Sequence, residues 1–477
     1  MTNDHKQEIG TQHKLKQSLK TRHVTMIALG GIIGAGLFVG SGAVINATGP
    51  AAVLSYILAG GLMVLIMRMI GEMAVAEPST GSISDYARKA LGNWAGFTVG
   101  WLYWYMWIIV LAIEAVAGAG ILVNYLNIPS WLLCLSLIVL LTLTNLYSVG
   151  SYGEAEFWFA SIKIVAIIAF IAVGVLFLIG LWPGDSPGLS MIYSDGGFFP
   201  KGVGAALIGT VTVLFSIGGA EIATIAAAES DNPEKNAAKA TNQVMYRVFF
   251  FYVVSVFLIV CIVPWNIDFA GVAIKSPFAM ALNELGIPVA AAIMKIVILT
   301  AVLSSLNSCL YITSRMLFAL TRHGDAPPIF LKTTKRGVPV WAILAGTTFG
   351  YVAVILNYFF PETVFLFLIN SAGAISLFYY LIIAYSEIKL RRKLEQEAPE
   401  KLKLKMWLFP YLTYFTIFCM LAVLIAMLWL PDTRPEILMS FVSLVIILVA
   451  YKFRANNQYT DGSYAKTDEP VGKSPFN

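Results

Sequence analysis

Charge is what this sequence has least of. Only 12% of its 477 residues are charged, against about a quarter in a soluble domain, while 58% are apolar. Those figures exclude a soluble globular chain, and equally a disordered, collagen-like or disulfide-stapled one. Cysteine is scarce as well: Cys134, Cys261, Cys309 and Cys419 each stand alone in an apolar block without CxxC spacing, and read as small buried hydrophobes. Histidine is no commoner. His5, His13, His23 and His323 all fall outside the apolar blocks, as do all ten aspartates. This leaves out HExxH zinc sites, haem-ligating helical histidines and intramembrane aspartate catalysis, so neither a metal nor a cofactor is expected. No GxxxxGK[ST] phosphate loop is present. Uphill work therefore falls to an ion gradient or to a partner. The 32 Lys and Arg against 27 Asp and Glu form no basic stripe, which argues against nucleic acid as a partner.

What fills the chain instead is a series of apolar runs, each near the 20 or so residues that cross a bilayer as a helix. Twelve are expected: Val24 to Thr48, Ala51 to Ala74, Ala95 to Tyr125, Ser130 to Val149, Phe157 to Leu181, Val203 to Ala228, Met245 to Trp265, Val289 to Leu320, Trp341 to Phe360, Thr363 to Ser386, Trp407 to Leu430 and Ile437 to Tyr451. No cleavage site follows the polar, basic N-terminal stretch, so the first run is kept as a span. The loops are asymmetric in Lys and Arg. One side holds Lys6, Lys14, Lys16, Lys20, Arg22, Arg88, Lys89, Lys235, Lys239, Arg322, Lys332, Lys335, Arg336, the seven between Lys389 and Lys405, and Lys452, Arg454, Lys466 and Lys473. The other holds Lys201, Lys275 and Arg434. By the positive-inside rule the first side, with both termini, faces the cytoplasm of a multi-pass membrane protein. Residues 455–477 read as a disordered tail, and Ser82 to Leu91 as a short helix on the membrane or capping the bundle.

Two spans are interrupted by glycine. The first carries Gly30, Gly31, Gly34, Gly36, Gly40 and Gly42; the sixth carries Phe215-Ser-Ile-Gly-Gly-Ala-Glu221. Small-residue helix packing accounts for the first pattern alone. Matching breaks in the first and sixth spans, however, mark two halves of five spans, an inverted-repeat secondary transporter with its site at the midplane. Freed amides suit a carboxylate and freed carbonyls an ammonium, so a zwitterionic amino acid fits both.

The chain then resembles bacterial amino-acid permeases of the amino acid/polyamine/organocation superfamily and, among them, the 4-aminobutyrate (GABA) permeases. The likeness is carried by Thr21 to Met26 leading into Gly30 to Gly42, Met67 to Met73, Gly100 to Trp104, Phe215 to Glu221 with Ala226 to Lys235, and Ser304 to Arg315, and runs from about Leu19 to Arg454. It implies an all-α polytopic protein whose residues 24–181 and 203–386 form two inverted five-helix repeats. A cytoplasmic tail (1–23) precedes them, and two peripheral helices (407–451) follow. It implies proton-coupled uptake with no enzymatic activity and no obligate protein partner. The substrate carboxylate would sit at Ile33, Gly34, Ala35 and Gly36, and its amino group at Phe215, Gly218 and Gly219, with Phe215 as a gate. GABA or another short ω-amino acid is the expected cargo, with a neutral α-amino acid such as alanine or proline as the alternative. A transport-inactive amino-acid sensor is the reading from another class.

Ionisable residues inside spans are costly and so point to function. Lys163 matches the fifth-span lysine that proton-coupled members of the family place against the first and eighth spans, with Ser304, Ser305 and Asn307 as candidate partners. Glu221 and Glu114 are candidates for proton or amine binding, or for structural hydrogen bonds. Arg68 and Glu72, four residues apart on one helix, can pair as an inner gate or structural couple. Arg247, Lys295 and Arg315 read as snorkelling side chains, and Trp101, Trp104, Tyr105 and Trp107 as an interfacial belt or a vestibule lining.

Overall fold

The computed structural model describes residues 33–77, 82–147, 152–183, 188–222, 224, 233–267, 275–334, 337–431 and 433–460. Among them every regular element is a helix. In chain order these are α1 (Ala35–Phe38), α2 (Gly40–Thr48), α3 (Ala52–Ala76), α4 (Ile83–Leu91), α5 (Asn93–Leu122), α6 (Ser130–Tyr147), α7 (Tyr152–Leu178), α8 (Ser190–Tyr193) and α9 (Val203–Ile217). They continue with α10 (Pro233–Arg247), a π-helical segment (Val248–Val254), α11 (Ser255–Ile262), α12 (Pro277–Glu284), α13 (Pro288–Arg322), α14 (Val340–Phe359), α15 (Val364–Glu397), α16 (Tyr411–Trp429) and α17 (Arg434–Thr460).

Nine stretches among the described residues are long and apolar enough to cross a membrane, and two shorter apolar helices, Ser130–Leu146 and Val203–Ile217, accompany them. The first of the nine, Ala35–Ala76, is divided by a turn at Gly49–Ala51. Gly49 has φ +69°, a backbone state that side chains rarely adopt, and Pro50 follows it, which is the punctuation expected between the first two spans. The start of the first span, the second half of the sixth beyond Ile222 and the tail from Asp461 lie outside the described residues.

Burial sorts the helices. The apolar window of α5 is 89% buried, whereas those of α16 and α17 are 28% and 17% buried. Accordingly α5 is the central pillar, packed against α4, α6, α13 and α15, and the last two helices lie on the outside with their aromatic and aliphatic faces turned outward. Such faces match a lipid surround, where an apolar exterior costs nothing. The short helix α4 begins with a capping box between Ser82 and Asp85, and buries Ile83, Ser84, Tyr86 and Ala87 against the bundle. Of the two placements expected for this segment, it takes the second. The small helix α1 touches α5, α9 and α13 at once, so the first break is held in the middle of the packing.

Candidate functional site

The two glycine breaks meet. Helix α1 is only one turn long and is separated from α2 at Val39, and the Phe38 carbonyl that the interruption leaves free accepts from the Ser276 hydroxyl at 2.7 Å. Helix α9 stops at Ile217, where Gly218 takes an extended ψ of 158° and Gly219 a φ of +84°. A methyl group on Gly36 would stand 2.7 Å from the Ser216 Cα and 3.2 Å from the Phe215 ring, so hydrogen at Gly36 is what lets the breaks approach. Gly36 thus meets Phe215 and Ser216, and Ile33, Gly34, Ala35, Gly36, Phe215, Gly218, Gly219 and Glu221 are all buried. Phe215 is 7% exposed and packs directly on the first break.

Two side chains reach the first break from elsewhere. The Ala35 amide donates to both oxygens of Glu114, each at 3.1 Å, and a methyl group on Gly34 would collide with the Glu114 carboxylate and the Ser305 hydroxyl. Glu114 projects from the central pillar α5, and Ser305 from α13; both are buried. The Ser305 hydroxyl finds no hydrogen-bond partner among the described residues. A freed amide of the break therefore already holds a carboxylate, and it is the protein's own.

Lys163 lies next door, fully buried, and its ammonium donates to the Ser304 hydroxyl at 3.0 Å. The expected pairing with Ser304 is present. Asn307 turns away, accepting from Asn145 of α6 at 2.6 Å. A residue outside the expected set completes the group: Glu156 is 1% exposed, accepts from Ser304 at 2.6 Å and stands 3.8 Å from the Lys163 ammonium. Helix α7 begins at Tyr152, upstream of the apolar run, and so carries this carboxylate into the bundle. The seven-residue step from Glu156 to Lys163 is two helical turns on one face, the signal by which the sequence marks it.

Glu221 is also fully buried, accepting from the Tyr380 hydroxyl at 3.1 Å, with Tyr103 and Tyr379 against it. Arg247 does not snorkel. It is 2% exposed and within electrostatic reach of Glu221, at the point where α10 passes into the π-helical segment.

The Arg68–Glu72 pair is not formed. Glu72 receives the Arg391 guanidinium of α15 on both oxygens at 2.8 Å, and the Met406 amide as well. Arg68 donates to the Lys405 carbonyl at 2.9 Å and to Asn242 at 3.2 Å, with its guanidinium over the Trp407 ring. Partners more than three hundred residues away give both side chains hydrogen bonds, and bury Glu72 as well, which an exposed i,i+4 contact does not. Trp104 and Trp107 are buried and not part of an interfacial belt, while Trp101 donates to the Asp325 carbonyl at 3.2 Å.

An all-helical, multi-pass bundle with two facing breaks has the architecture of a membrane transporter. The chain matches the amino acid permease family over residues 23–461, and it belongs to that family. It is 54% identical to the gamma-aminobutyric acid permease of Bacillus subtilis, over 92% of this chain and 94% of that protein. It is 47% identical to the gamma-aminobutyric acid permease of Escherichia coli, over 89% and 91%. A crystal structure of a manganese transporter from Eremococcus coleocola superposes with a TM-score of 0.57 over 92% of this chain and 94% of that one, at 12% identity, a likeness of fold.

Proposed function

We propose that the chain carries GABA, or a similar short ω-amino acid, into the bacterial cell by proton-coupled alternating access of one midplane site. The observation that carries this reading is the Ala35 amide, a donor freed by the first break and occupied by a carboxylate deep in the bundle. A substrate carboxylate would compete with Glu114 for that amide. The amino group would lie toward Phe215, Gly218 and Gly219, where the sixth-span break leaves carbonyls without helical partners. The names of the similar permeases support GABA as the cargo.

In this reading twelve spans form two inverted five-helix repeats and two peripheral helices, with both termini cytoplasmic, as the Lys and Arg asymmetry favours. Proton exchange takes place in the buried group of Glu114, Lys163, Ser304 and Ser305. Phe215 closes over the substrate when the site is shut, and Glu221 ties the sixth-span break to the tyrosines of α5 and α15. No cofactor takes part; the proton gradient supplies the energy.

The test is labelled GABA uptake into proteoliposomes, in sodium-free buffer, with and without an inside-alkaline pH gradient. Gradient-stimulated accumulation is expected. Flux of alanine or proline in place of GABA overturns the cargo and keeps the mechanism, and no flux of any amino acid leaves a sensor.

A further inference from the structure

We propose that Glu156 is a positioning residue that keeps the Lys163 ammonium charged and seated on Ser304, so that the exchangeable proton of the carrier resides on Glu114 and not on Lys163. The proposal rests on the proton-coupled reading above and assigns the group within it.

Three observations carry it. First, the Ser304 hydroxyl has a single hydrogen, and it goes to Glu156 at 2.6 Å; the same oxygen accepts from Lys163 at 3.0 Å. Donor, relay and acceptor are then in the order ammonium, hydroxyl, carboxylate, with the two charges 3.8 Å apart and neither side chain more than 1% exposed. Second, the titratable groups that act on Lys163 are Glu156 from its own helix α7, Glu114 from α5 and Cys309 from α13. Two carboxylates face one ammonium, and all three residues are at most 3% exposed. A dry site does not tolerate the surplus negative charge, so it holds one further proton. Third, the carboxylates are not equivalent. Glu156 has the ammonium and the Ser304 hydroxyl, whereas Glu114 receives the Ala35 backbone amide. The proton therefore settles on Glu114, at the break where the substrate carboxylate would arrive. It is taken from water on the more acidic side and given to water on the other, and Lys163 keeps its own throughout.

The consequence is that Glu156 and Lys163 can be replaced together but not singly. The full chain is reconstituted as wild type, Glu156→Gln, Lys163→Met, Glu114→Gln and the double variant Glu156→Gln/Lys163→Met. GABA/GABA exchange, pH-gradient-driven accumulation and the external-pH profile of accumulation are measured on each. In Glu156→Gln the bare ammonium takes Glu114 as its counter-ion and holds it ionised, and in Lys163→Met the unpaired Glu156 takes up the proton. Gradient-driven accumulation drops about tenfold or more in each, because breaking a buried pair leaves a charge uncompensated. The double variant removes the pair without leaving a charge. It recovers accumulation to within about threefold of wild type, since a buried pair is replaceable as a unit, and its pH profile overlays the wild type. In Glu114→Gln accumulation no longer responds to the gradient. A double variant that exchanges GABA yet ignores the gradient makes Lys163 the proton carrier and overturns the proposal. A double variant that fails to fold overturns it too, for the pair is then not replaceable. If wild type itself shows no gradient-driven accumulation, the functional reading fails before any variant is compared.

Discussion

Two buried clusters of this chain hold opposite charges together, and they are unbalanced in opposite senses. In the middle of the bundle two carboxylates, Glu114 and Glu156, surround one ammonium, Lys163, and all three are at most 3% exposed. At the end of the bundle that carries α4, one carboxylate, Asp325, sits between two guanidiniums, Arg88 of α4 and Arg454 of α17, with Arg454 at 2.5 Å. Arg454 also donates to the carbonyls of Gly324 at 2.9 Å and His323 at 3.2 Å, so α17 is fastened to the loop after α13. The arginines keep 16% and 19% of their side chains exposed, so water can meet the surplus positive charge. The central surplus has no such outlet and calls for a proton. The same ion-pair chemistry thus fastens helices where water is near and, in the proposed mechanism, couples to protons where it is absent.

Breaking the central cluster at its unpaired carboxylate has the largest expected effect. Glu114→Gln retains a hydrogen-bonding group for Ala35 and loses the charge that must come and go. The accumulation ratio under a pH gradient falls by about tenfold or more, and each tenfold represents about 1.4 kcal/mol of lost coupling. Accumulation equal to wild type would place the proton elsewhere and remove the contrast between the clusters.

Glu72 sharpens the contrast from the other side, because its carboxylate is directly paired with an arginine, Arg391, both under a tenth exposed, and with the Met406 amide besides. Its proper comparison is with the fastening role, not the coupling one. Glu72→Gln leaves Arg391 buried with Glu395 as its remaining carboxylate partner, and costs about 3 kcal/mol of stability, within the usual cost of breaking a buried pair. Thermal unfolding in detergent reads this, while the accumulation ratio of the surviving protein stays at wild type. A changed ratio at unchanged stability would make the pair part of the coupling machinery.

Asp325→Asn comes next. It strands two guanidiniums, but both reach solvent, so the loss is about 1–2 kcal/mol. The unfolding temperature is lowered by less than in Glu72→Gln, and GABA exchange is retained. A loss as large as that of Glu72→Gln would show that partial exposure does not discount the pair.

How much of this arrangement was legible beforehand depends on the distance over which each signal acts. The non-helical backbone at Gly34 and at Gly218 and Gly219 is local, because glycine changes backbone preference where it stands, whereas the interruption between α1 and α2 falls at Val39, just past the glycines. Lys163 and Ser304 were matched through a resemblance, and the contact is present. Glu156 escaped because an apolar run marks where a helix enters the bilayer, not where it begins; α7 starts at Tyr152, and a carboxylate inside the helix was read as the loop before it. Arg247 differs because nearness to the end of a span does not say which way a side chain points, and here it is buried within electrostatic reach of Glu221. Arg68 and Glu72 mark the limit of reading from spacing. A four-residue step brings two side chains near each other, yet partners contributed by α15 and the segment after it outbid that contact, and nothing near residue 70 announces them. The twelve spans and their repeat symmetry rest on hydropathy and charge, which register lengths and sides but not helix crossings.

The smallest expected effect belongs to His323, which approaches Asp85 at 3.0 Å next to the Asp325 cluster. Its side chain is 40% exposed, and Asp85 already closes the capping box of α4 through the Ser82 amide at 3.3 Å. The helix start therefore does not depend on the imidazole. Water competes for both groups, and an exposed pair of this kind contributes at most about 1 kcal/mol. His323→Ala is expected to leave the unfolding temperature and the accumulation ratio within error of wild type, measured beside Asp325→Asn. If instead the two variants lose stability equally, His323, Asp85, Arg88, Asp325 and Arg454 act as one network, and distance from water is no longer what separates the fastening cluster from the coupling one.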